Sequence, residues 1–439
     1  MMNLLLAFAA LLLLAVLVSS LAHRTVLSTA ALFLVGGFLL GDGVTGAVML
    51  KPGDPIVSGL AELALFAVLF TDGMHAGWQD LRSAWRLPGR ALGWGLPLTL
   101  LLTAVFAHFI VGLGWVESLL IAAVLTPTDP VFAAALVGND RVPPRLRHLL
   151  NVESGVNDGL VLPFVVLFLA IAKGSGDLHL GELAAELAGG VAIGVAVPWA
   201  AIMLVRTRLF AISPRYEPLN AVAIGLLVLA LAQVTHGNLF LAAFAAGVTV
   251  ATVGERHRAA FEEFGELVAE LLKLAALLVF GALLSPAFLG DVGPAGWAFA
   301  ALALVVARPV AVWVSFLRSG LTTREQAAVM WFGPKGFASV VYGLLVLDAG
   351  LTAGEHIFHL VGVTIALSIL AHSSTDIVVA RSFDDEHEVP AWFGRARSLV
   401  RRPGATTSSR ESRGRADPPA DADDPSTGIH SDLEPPCQP

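Results

Sequence analysis

The strongest constraint on the fold is a succession of apolar stretches, each close to the length that a membrane-crossing helix needs. A helix crosses the ~30 Å hydrocarbon core of a bilayer with about 20 mostly apolar residues. Thirteen stretches meet this requirement, near residues 3–20, 26–41, 56–71, 91–113, 117–137, 148–171, 183–205, 219–235, 237–253, 266–285, 296–317, 325–347 and 356–379. The chain is therefore predicted to be an all-α polytopic membrane protein.

Composition agrees with this prediction and excludes several classes of protein. Hydrophobic residues make up 56% of the chain and charged residues 14%, whereas an ordinary soluble domain has about 25% charged residues. The single cysteine, Cys437, excludes an internal disulfide framework and a cysteine-rich zinc site. The net charge of -8 argues against a nucleic-acid partner. The lipid bilayer is the partner that this composition predicts.

The basic residues predict the orientation in the membrane, because Lys and Arg prefer cytoplasmic loops. With the N-terminus outside and the crossings alternating, the inner loops contain fifteen arginines, whereas the outer loops contain only Lys51 and Lys173. We therefore predict a cell (inner) membrane protein with its N-terminus outside and its C-terminus in the cytoplasm. A signal peptide at residues 4–18 is the weaker alternative, since no basic residue precedes that run.

The composition changes after the last apolar stretch. Residues 380–439 contain 8 of the 24 prolines, several acidic clusters and few large apolar residues. Such a segment cannot bury enough apolar surface to fold. The chain is therefore divided into a membrane domain at 1–379 and a disordered cytoplasmic tail at 380–439, whose regulatory role stays open.

The fifth stretch carries two prolines and an acid at its middle. Pro127 and Pro130 each remove a backbone donor and disfavour helix in the preceding residue. The stretch is too short to cross the membrane twice, so the break must lie at membrane depth, where unwound backbone is tolerated only if it is buried or lines a watery cavity. The sequence therefore predicts a cation site formed by Thr128, Asp129 and the carbonyl groups that the break leaves free. Pro130 is predicted to support this site by keeping the segment out of a helix.

The sixth stretch carries a second acid at the same depth. On a helix, Ser154 and Asp158 share a face at spacing four, and so do Glu153 and Asn157. Carboxylates, a hydroxyl and carbonyls suit a hard cation, and two acids near each other in a low dielectric suit a proton equally well. A site that binds either a cation or a proton, but not both, has the chemistry of an exchanger.

Two later stretches contain isolated basic residues. Arg308 is the one charge in the eleventh stretch and needs an acidic partner, for which we predict Glu153. The twelfth stretch must break at Gly333-Pro334-Lys335-Gly336, again with a charge at the break. Because the fifth and twelfth stretches lie seven apart, stretches 1–6 and 8–13 are predicted to be inverted repeats. Asp129 and Lys335 are predicted to compensate the half-helix dipoles.

Other ionisable residues have simpler explanations. Lys273 follows two glutamates at helical spacing, so an ion pair or snorkelling accounts for it. His108 is interpreted as a core histidine rather than a proton relay. Asp72 and His75 are interpreted as interfacial residues at the inner end of the third stretch.

In this order, Thr128-Asp129-Pro130, the run Glu153-Ser154-Gly155-Val156-Asn157-Asp158, Ala307-Arg308 and Gly333-Pro334-Lys335-Gly336 resemble the motifs of the monovalent cation/proton antiporters. The nearest branch is that of the NhaP-like and mammalian-type sodium/proton exchangers, and the resemblance covers most of the membrane part. It implies the antiporter fold of two inverted six-helix repeats with discontinuous crossing helices. It also implies a homodimer, with core helices near 56–171 and 266–379.

The resemblance further implies that Asp158 carries the cation or the proton, with Thr128, Asp129, Glu153 and Ser154 around the cation. The order Asn157-Asp158 resembles the electroneutral branch, which exchanges one cation for one proton. Na⁺ is the first expectation, with Li⁺ or K⁺ as alternatives. Lys335 departs from the arginine that is more common in the family motif, so a planar bidentate contact is not expected there.

The predicted function is thus a secondary antiporter that works by alternating access and is not an enzyme. A potassium/proton antiporter of the same fold is the alternative, and a cation channel is the main rival of another class, although a channel needs a continuous hydrated path. An intramembrane hydrolase with Ser154 as nucleophile would need Asp158 or Lys335 as its base. No phosphate loop, dinucleotide fingerprint or nucleophile elbow is present in the sequence, so no cofactor is predicted.

Overall fold

The computed structural model describes residues 2–22, 29–42, 44–75, 85–129, 142–174, 180–207, 213, 216–254 and 258–383. The first seven helices of this part of the chain are α1 (Met2–Ala22), α2 (Thr29–Leu40), α3 (Pro55–His75), α4 (Arg86–Val111), α5 (Trp115–Leu125), α6 (Pro144–Ala172) and α7 (Leu180–Val205). They are followed by α8 (Glu217–Val234), α9 (Leu239–Val253), α10 (Arg258–Leu283), α11 (Pro286–Asp291), α12 (Gly293–Ser315), α13 (Thr323–Trp331), α14 (Phe337–Asp348) and α15 (Gly354–Ser382). Most of the predicted tail lies outside the described residues.

All the regular secondary structure of the described residues is helical, as predicted. Six of these helices are long and apolar enough to cross a membrane, namely α3, α4, α6, α7, α12 and α15. Shorter apolar helices coincide with other predicted stretches, namely α1, α2, α5, α8, α9 and α14. An all-α membrane protein is therefore confirmed for these residues, while the count of thirteen crossings stays a prediction.

Two helices stop inside an apolar stretch. Helix α5 ends at Leu125, and residues 126–129 continue without helical structure. Helix α13 ends at Trp331, and α14 begins only at Phe337. Pro127 follows the end of α5, and Pro334 follows the end of α13. Each proline lacks a backbone N–H donor and disfavours helical structure in the residue before it. The predicted break in the twelfth stretch is confirmed, as is the end of helix in the fifth, whereas Pro130 lies outside the described residues.

The start of α13 is well defined by its own sequence and by α6. Thr322 caps the helix, and the side chain of Glu325 returns the bond to the backbone of Thr322, which completes a capping box. The Glu325 carboxylate also accepts two bonds from Arg145 of α6, to Nε at 2.7 Å and to Nη2 at 2.6 Å. This bidentate contact holds the first turn of α13 against the first turn of α6.

Helices α3 and α9 cross at a pair of glycines. A methyl group on Gly73 would lie 3.1 Å from the Cα atom of Gly247, and one on Gly247 would overlap the carbonyl oxygen of Phe70. The two backbones therefore meet with no side chain between them, which is a common way for helices to pack in membranes. This crossing positions the end of α3 beside the acidic residues described below.

Substitution of Gly247 by Ala is expected to destabilise the protein, because the added methyl group has no room between the two backbones. Overpacking of this kind costs about 1–3 kcal/mol. Thermal denaturation of the detergent-solubilised protein measures the effect. Gly59→Ala in α3 is the matched control, since a methyl group there meets no atom within 4 Å. Equal melting temperatures for the two variants would contradict the close crossing.

Candidate functional site

The two interrupted segments meet each other at Asp129. The backbone N–H of Asp129 donates to the carbonyl oxygen of Pro334 at 3.0 Å. The Asp129 carboxylate accepts a bond from the backbone N–H of Phe337 at 3.4 Å, and the side chain is buried. Asp129 therefore lies at the positive N-terminal end of α14, where a negative charge is stabilised, as the sequence predicted. A methyl group on Gly336 would overlap the side chain of Asp129. Glycine is therefore required at position 336 for Asp129 to come this close to the start of α14.

Arg308 lies at the opposite end of the same break. Its Nη2 atom forms an ion pair with Glu153 Oε1 at 2.8 Å and donates to the carbonyl oxygen of Phe332 at 3.0 Å. Both charged side chains are buried. The predicted Glu153–Arg308 pair is thus present, and the guanidinium also compensates the negative C-terminal end of α13. A methyl group on Gly333 would overlap the guanidinium.

Lys335 lies within the break between α13 and α14. Its side chain is fully buried, and its Nζ atom has no hydrogen-bond partner among the described residues. Its backbone N–H donates to Ser368 Oγ of α15 at 2.7 Å. The hydrogen bond that the structure describes at the end of α13 comes from Arg308, and the compensation of a half-helix dipole by Lys335 stays a prediction.

Three polar side chains connect the end of the α5 segment to α6. Asn157 Nδ2 donates to Thr128 Oγ1 at 2.6 Å, and Thr128 Oγ1 lies 3.4 Å from Ser154 Oγ. All three side chains are buried. Asn157 therefore orients the Thr128 hydroxyl, whose oxygen lies beside that of Ser154. Hydroxyl oxygens are among the ligands that a hard cation accepts.

Glu153 has one buried oxygen, Oε2, without a hydrogen-bond partner in the described part of the chain, but its other oxygen pairs with Arg308. Asp158 is a buried acid that has no ion pair among the described residues. Its side chain is 4% exposed, and its Oδ1 atom has no hydrogen-bond partner among the described residues. Tyr342 of α14 donates its hydroxyl to the backbone oxygen of Asp158 at 3.0 Å, which leaves the carboxylate itself untouched. A buried polar atom without a partner requires an explanation. A bound cation or proton on Oδ1 supplies one.

Asp129 and Asp158 line one cavity of about 580 Å³. The cavity lies between α3, α6 and α10, beside the last turns of α3 and the first halves of the other two helices. Its ionisable lining residues are Asp72, His75, Asp129, Asp158, Glu266, Glu270 and Lys273. The cavity is therefore strongly acidic, and both buried aspartates face it.

Asp72 belongs to this site, although the sequence was interpreted as placing it only at the interface. The Asp72 carboxyl interacts electrostatically with both Asp129 and Asp158. Helix α3 lies close to α6 here, since a methyl group on Gly155 would be in van der Waals contact with the Asp72 carbonyl oxygen, at 3.4 Å. The sequence feature that could have revealed Asp72 is an ionisable residue in the last turn of a mostly apolar helix. Sequence periodicity could not tell which neighbour that turn would meet.

Lys273 has the predicted ion pair and a further role in lining the cavity. Its Nζ atom lies 3.2 Å from Glu270 Oε2, at the predicted spacing of three. The Lys273 side chain is 7% exposed, which is much less than a snorkelling lysine at a membrane surface would be.

His75 pairs with Glu266 at 3.0 Å at the exposed edge of the cavity. His108 lies elsewhere, where its Nδ1 contacts the carbonyl oxygen of Leu113 at 2.7 Å.

Comparison with known proteins points to one family. A family profile described as sodium/hydrogen exchanger, transmembrane, matches residues 9–381. The chain is 25% identical over 377 residues to the K(+)/H(+) antiporter NhaP2 of Shewanella sp. strain MR-4, covering 83% of this chain and 64% of that protein. It is 26% identical over 354 residues to the K(+)/H(+) antiporter NhaP of Alkalimonas amylolytica, covering 80% and 61%. The chain therefore spans less than two thirds of the length of these relatives.

Among solved structures, the chain is similar to the sodium proton antiporter MjNhaP1 of Methanocaldococcus jannaschii at pH 8. The TM-score is 0.71, and the match covers 87% of this chain and 97% of that chain. The sequence identity is 17%, so this likeness concerns the fold.

Proposed function

Because the chain belongs to the sodium/hydrogen exchanger family, we propose that it is a secondary active antiporter that exchanges protons for a monovalent cation across the cell membrane. The observation that carries this proposal is the Asp158 carboxylate, buried in an acidic cavity with one oxygen unpartnered. In that position a carboxylate binds a cation or a proton, one at a time. Transport by alternating access then couples the two fluxes without a cofactor.

The residues around Asp158 have distinct roles in this mechanism. Asp129 lines the same cavity as Asp158, and the break between α13 and α14 holds it in place. The adjoining hydroxyls of Thr128 and Ser154 are proposed to complete the cation site. Glu153 is engaged by Arg308, so its charge is neutralised in both states of the site. Glu153 therefore shapes the cation site rather than exchanging its own proton.

We propose a one-for-one, electroneutral exchange. The residue beside Asp158 is Asn157, whose amide is used to orient Thr128. A neutral amide there leaves Asp158 as the carboxylate that alternates between cation and proton. One cation then replaces one proton, and the net charge moved in a cycle is zero.

Na⁺ is the proposed cation, and K⁺ is the second candidate. The K⁺ alternative is supported by the names of the curated relatives, which are K(+)/H(+) antiporters. Mixed carboxylate and hydroxyl oxygens accept either ion, because selectivity depends on cavity size and the number of ligands.

The acidic cavity supports an orientation as well. Its exposed ionisable residues, His75 and Glu266, lie toward the end of the bundle where α3 ends and α10 begins. In the topology proposed from the basic residues, with the N-terminus outside, this end faces the cytoplasm. The described conformation is then an inward-open one, in which cytoplasmic ions reach Asp158.

A second glycine crossing supports the proposed inverted repeats. A methyl group on Gly37 of α2 would lie 3.0 Å from the Cα atom of Gly281 of α10, much as Gly73 of α3 meets Gly247 of α9. If stretches 1–6 correspond to 8–13, then α3 corresponds to α10 and α9 to α2. Gly73 and Gly281 each lie two residues before the end of their helix, and Gly37 and Gly247 are each the ninth residue of theirs.

Superposing these glycines aligns the sequences of α3 and α10. The tripeptide Ala-Glu-Leu at 61–63 recurs at 269–271, and the Ala, Leu and Gly at 67, 69 and 73 recur at 275, 277 and 281. These identities support a common origin of the two halves. Inverted repeats place a transporter's binding site at their interface, where the interrupted segments meet in this chain.

We also propose that the protein is a homodimer, with core helices near 56–171 and 266–379 moving against the remaining helices. The proposed domain boundary at 379 leaves residues 380–439 as a cytoplasmic appendage. These proposals rest on the family and on the resemblance of its motifs.

The proposed function is tested by proton flux in sealed proteoliposomes that contain a pH-sensitive dye. Na⁺, K⁺ and Li⁺ are added separately, with the membrane potential either free or clamped by an ionophore that does not carry the test ion. We expect saturable, cation-dependent proton movement that does not respond to the potential. Flux that follows the potential would contradict electroneutral exchange, and the absence of coupled proton movement with any of these ions would contradict antiport of these cations.

A further inference from the structure

Lys273 is a buried cation that the proposed mechanism does not use. It lies on α10 and lines the same cavity as Asp72, Asp129 and Asp158. Its ammonium interacts electrostatically with Asp129, Asp72 and Glu270. A positive charge thus occupies the cavity through which the transported cation must pass.

Lys273 pairs with Glu270 within reach of the deeper aspartates. Its partner, Glu270, is one turn nearer the start of α10 and is 40% exposed, whereas Lys273 is 7% exposed. Glu266, Glu270 and Lys273 follow each other at spacings of four and three, so they share the face of α10 that lines the cavity. The ammonium is therefore paired with Glu270 while it also interacts with Asp129 and Asp72.

The lysine stem permits a second position. A lysine carries its charge on a flexible four-carbon chain with three rotatable donors. The charged groups that face it are Asp72 and His75 from α3, Asp129 from the interrupted segment, Asp158 from α6, and Glu266 and Glu270 from α10 itself. Release from Glu270 would leave the Asp72 and Asp129 carboxylates as the nearest strong acceptors.

We propose that Lys273 sets the affinity of the cation site, because its ammonium competes with the transported cation for the Asp72 and Asp129 carboxylates. Glu270 limits this competition by holding the ammonium in the pair seen here. The inference rests on the proposed function, since it concerns the affinity with which the exchanger takes up its cation. Lys273 does not carry the transported proton or cation in this scheme.

The competition predicts effects of opposite sign for the two members of the ion pair. In Lys273→Met, the competing charge is removed, and the apparent KM for Na⁺ or K⁺ at fixed pH should fall about tenfold, as expected from the loss of one like charge at close range. In Glu270→Gln, the ammonium is released toward the aspartates, and the apparent KM should rise severalfold. In the double variant the effect of Glu270→Gln should vanish, because no ammonium remains to be released.

The measurement is the cation dependence of proton flux in proteoliposomes, for wild type and all three variants in parallel. Lys273→Arg keeps the charge and should keep the KM close to that of wild type. A purely structural pair would lower the melting temperature in both single variants and leave the KM unchanged or shifted in one direction. That result would overturn the inference.

Two further outcomes separate the inference from the proposed function. If wild type exchanges protons for a cation but the KM values of the single variants do not move apart, the role of Lys273 is refuted and the antiporter proposal stands. If wild type shows no cation-coupled proton flux, both are refuted. If Lys273→Met does not fold, Lys273→Gln removes the same charge and decides the question.

Discussion

Replacement of Asp158 by Asn is expected to abolish cation–proton exchange while leaving the fold intact. The amide has the same shape as the carboxyl group but cannot exchange a proton for a cation. Because Tyr342 contacts the backbone oxygen of Asp158 rather than its side chain, the packing of α14 against α6 should survive. Loss of the proton-accepting group should reduce the flux by about 100-fold or more.

The measurement is proton flux in proteoliposomes at saturating Na⁺ or K⁺, with equal amounts of folded protein. Glu117→Gln is a matched control, since it makes the same carboxyl-to-amide change in the first turn of α5, outside the acidic cavity. It should leave the flux close to that of wild type. Retention of pH-dependent cation flux by Asp158→Asn would remove Asp158 from the mechanism.

Replacement of Glu153 by Ala is expected to destabilise the protein strongly, by leaving the Arg308 guanidinium buried without its partner. Breaking a buried ion pair in this way costs about 3–5 kcal/mol. The double variant Glu153→Ala/Arg308→Ala should be less destabilised than Glu153→Ala alone, because no unpaired charge remains. Some loss should persist in the double variant, since Arg308 also donates to Phe332 at the end of α13.

Melting temperatures of wild type, both single variants and the double variant form a double-mutant cycle that isolates the pair. Glu266→Ala provides the comparison with an exposed pair, because His75 and Glu266 are 44% and 54% exposed. Its effect should be below about 1 kcal/mol. Equal melting temperatures for Glu153→Ala and the double variant would contradict the buried pair.

The two predictions differ in how much of their basis was visible in the sequence. Asp158 was identified from a charged residue at the middle of an apolar helix, which is costly unless it has a function. The Glu153–Arg308 pair was inferred by elimination, since each residue needed a partner. Both inferences use the low dielectric of the membrane, which makes every buried charge informative.

The residues that sequence reasoning missed lie on helices whose faces could not be assigned. Asp72 and Lys273 each have an ordinary local explanation, an interfacial acid and a helical ion pair. The Lys273–Glu270 pair is real, yet the same side chain also lines the cavity of Asp158. The explanation of Lys273 from its own helix was correct but incomplete, because helical spacing cannot show which residues of other helices lie near its side chain.

By itself the sequence determined the membrane class and the places where two helices stop, and it predicted the principal acids. These properties depend on local chemistry: apolar length, the missing donor of proline and the cost of a charge in hydrocarbon. Only the tertiary structure decided that Asp129 meets the start of α14 and that Arg308 meets the end of α13. It also decided that Asp72 and Lys273 join the cavity. Such contacts join residues far apart in the chain, and helical periodicity specifies the face of each helix but not the helix that it will meet.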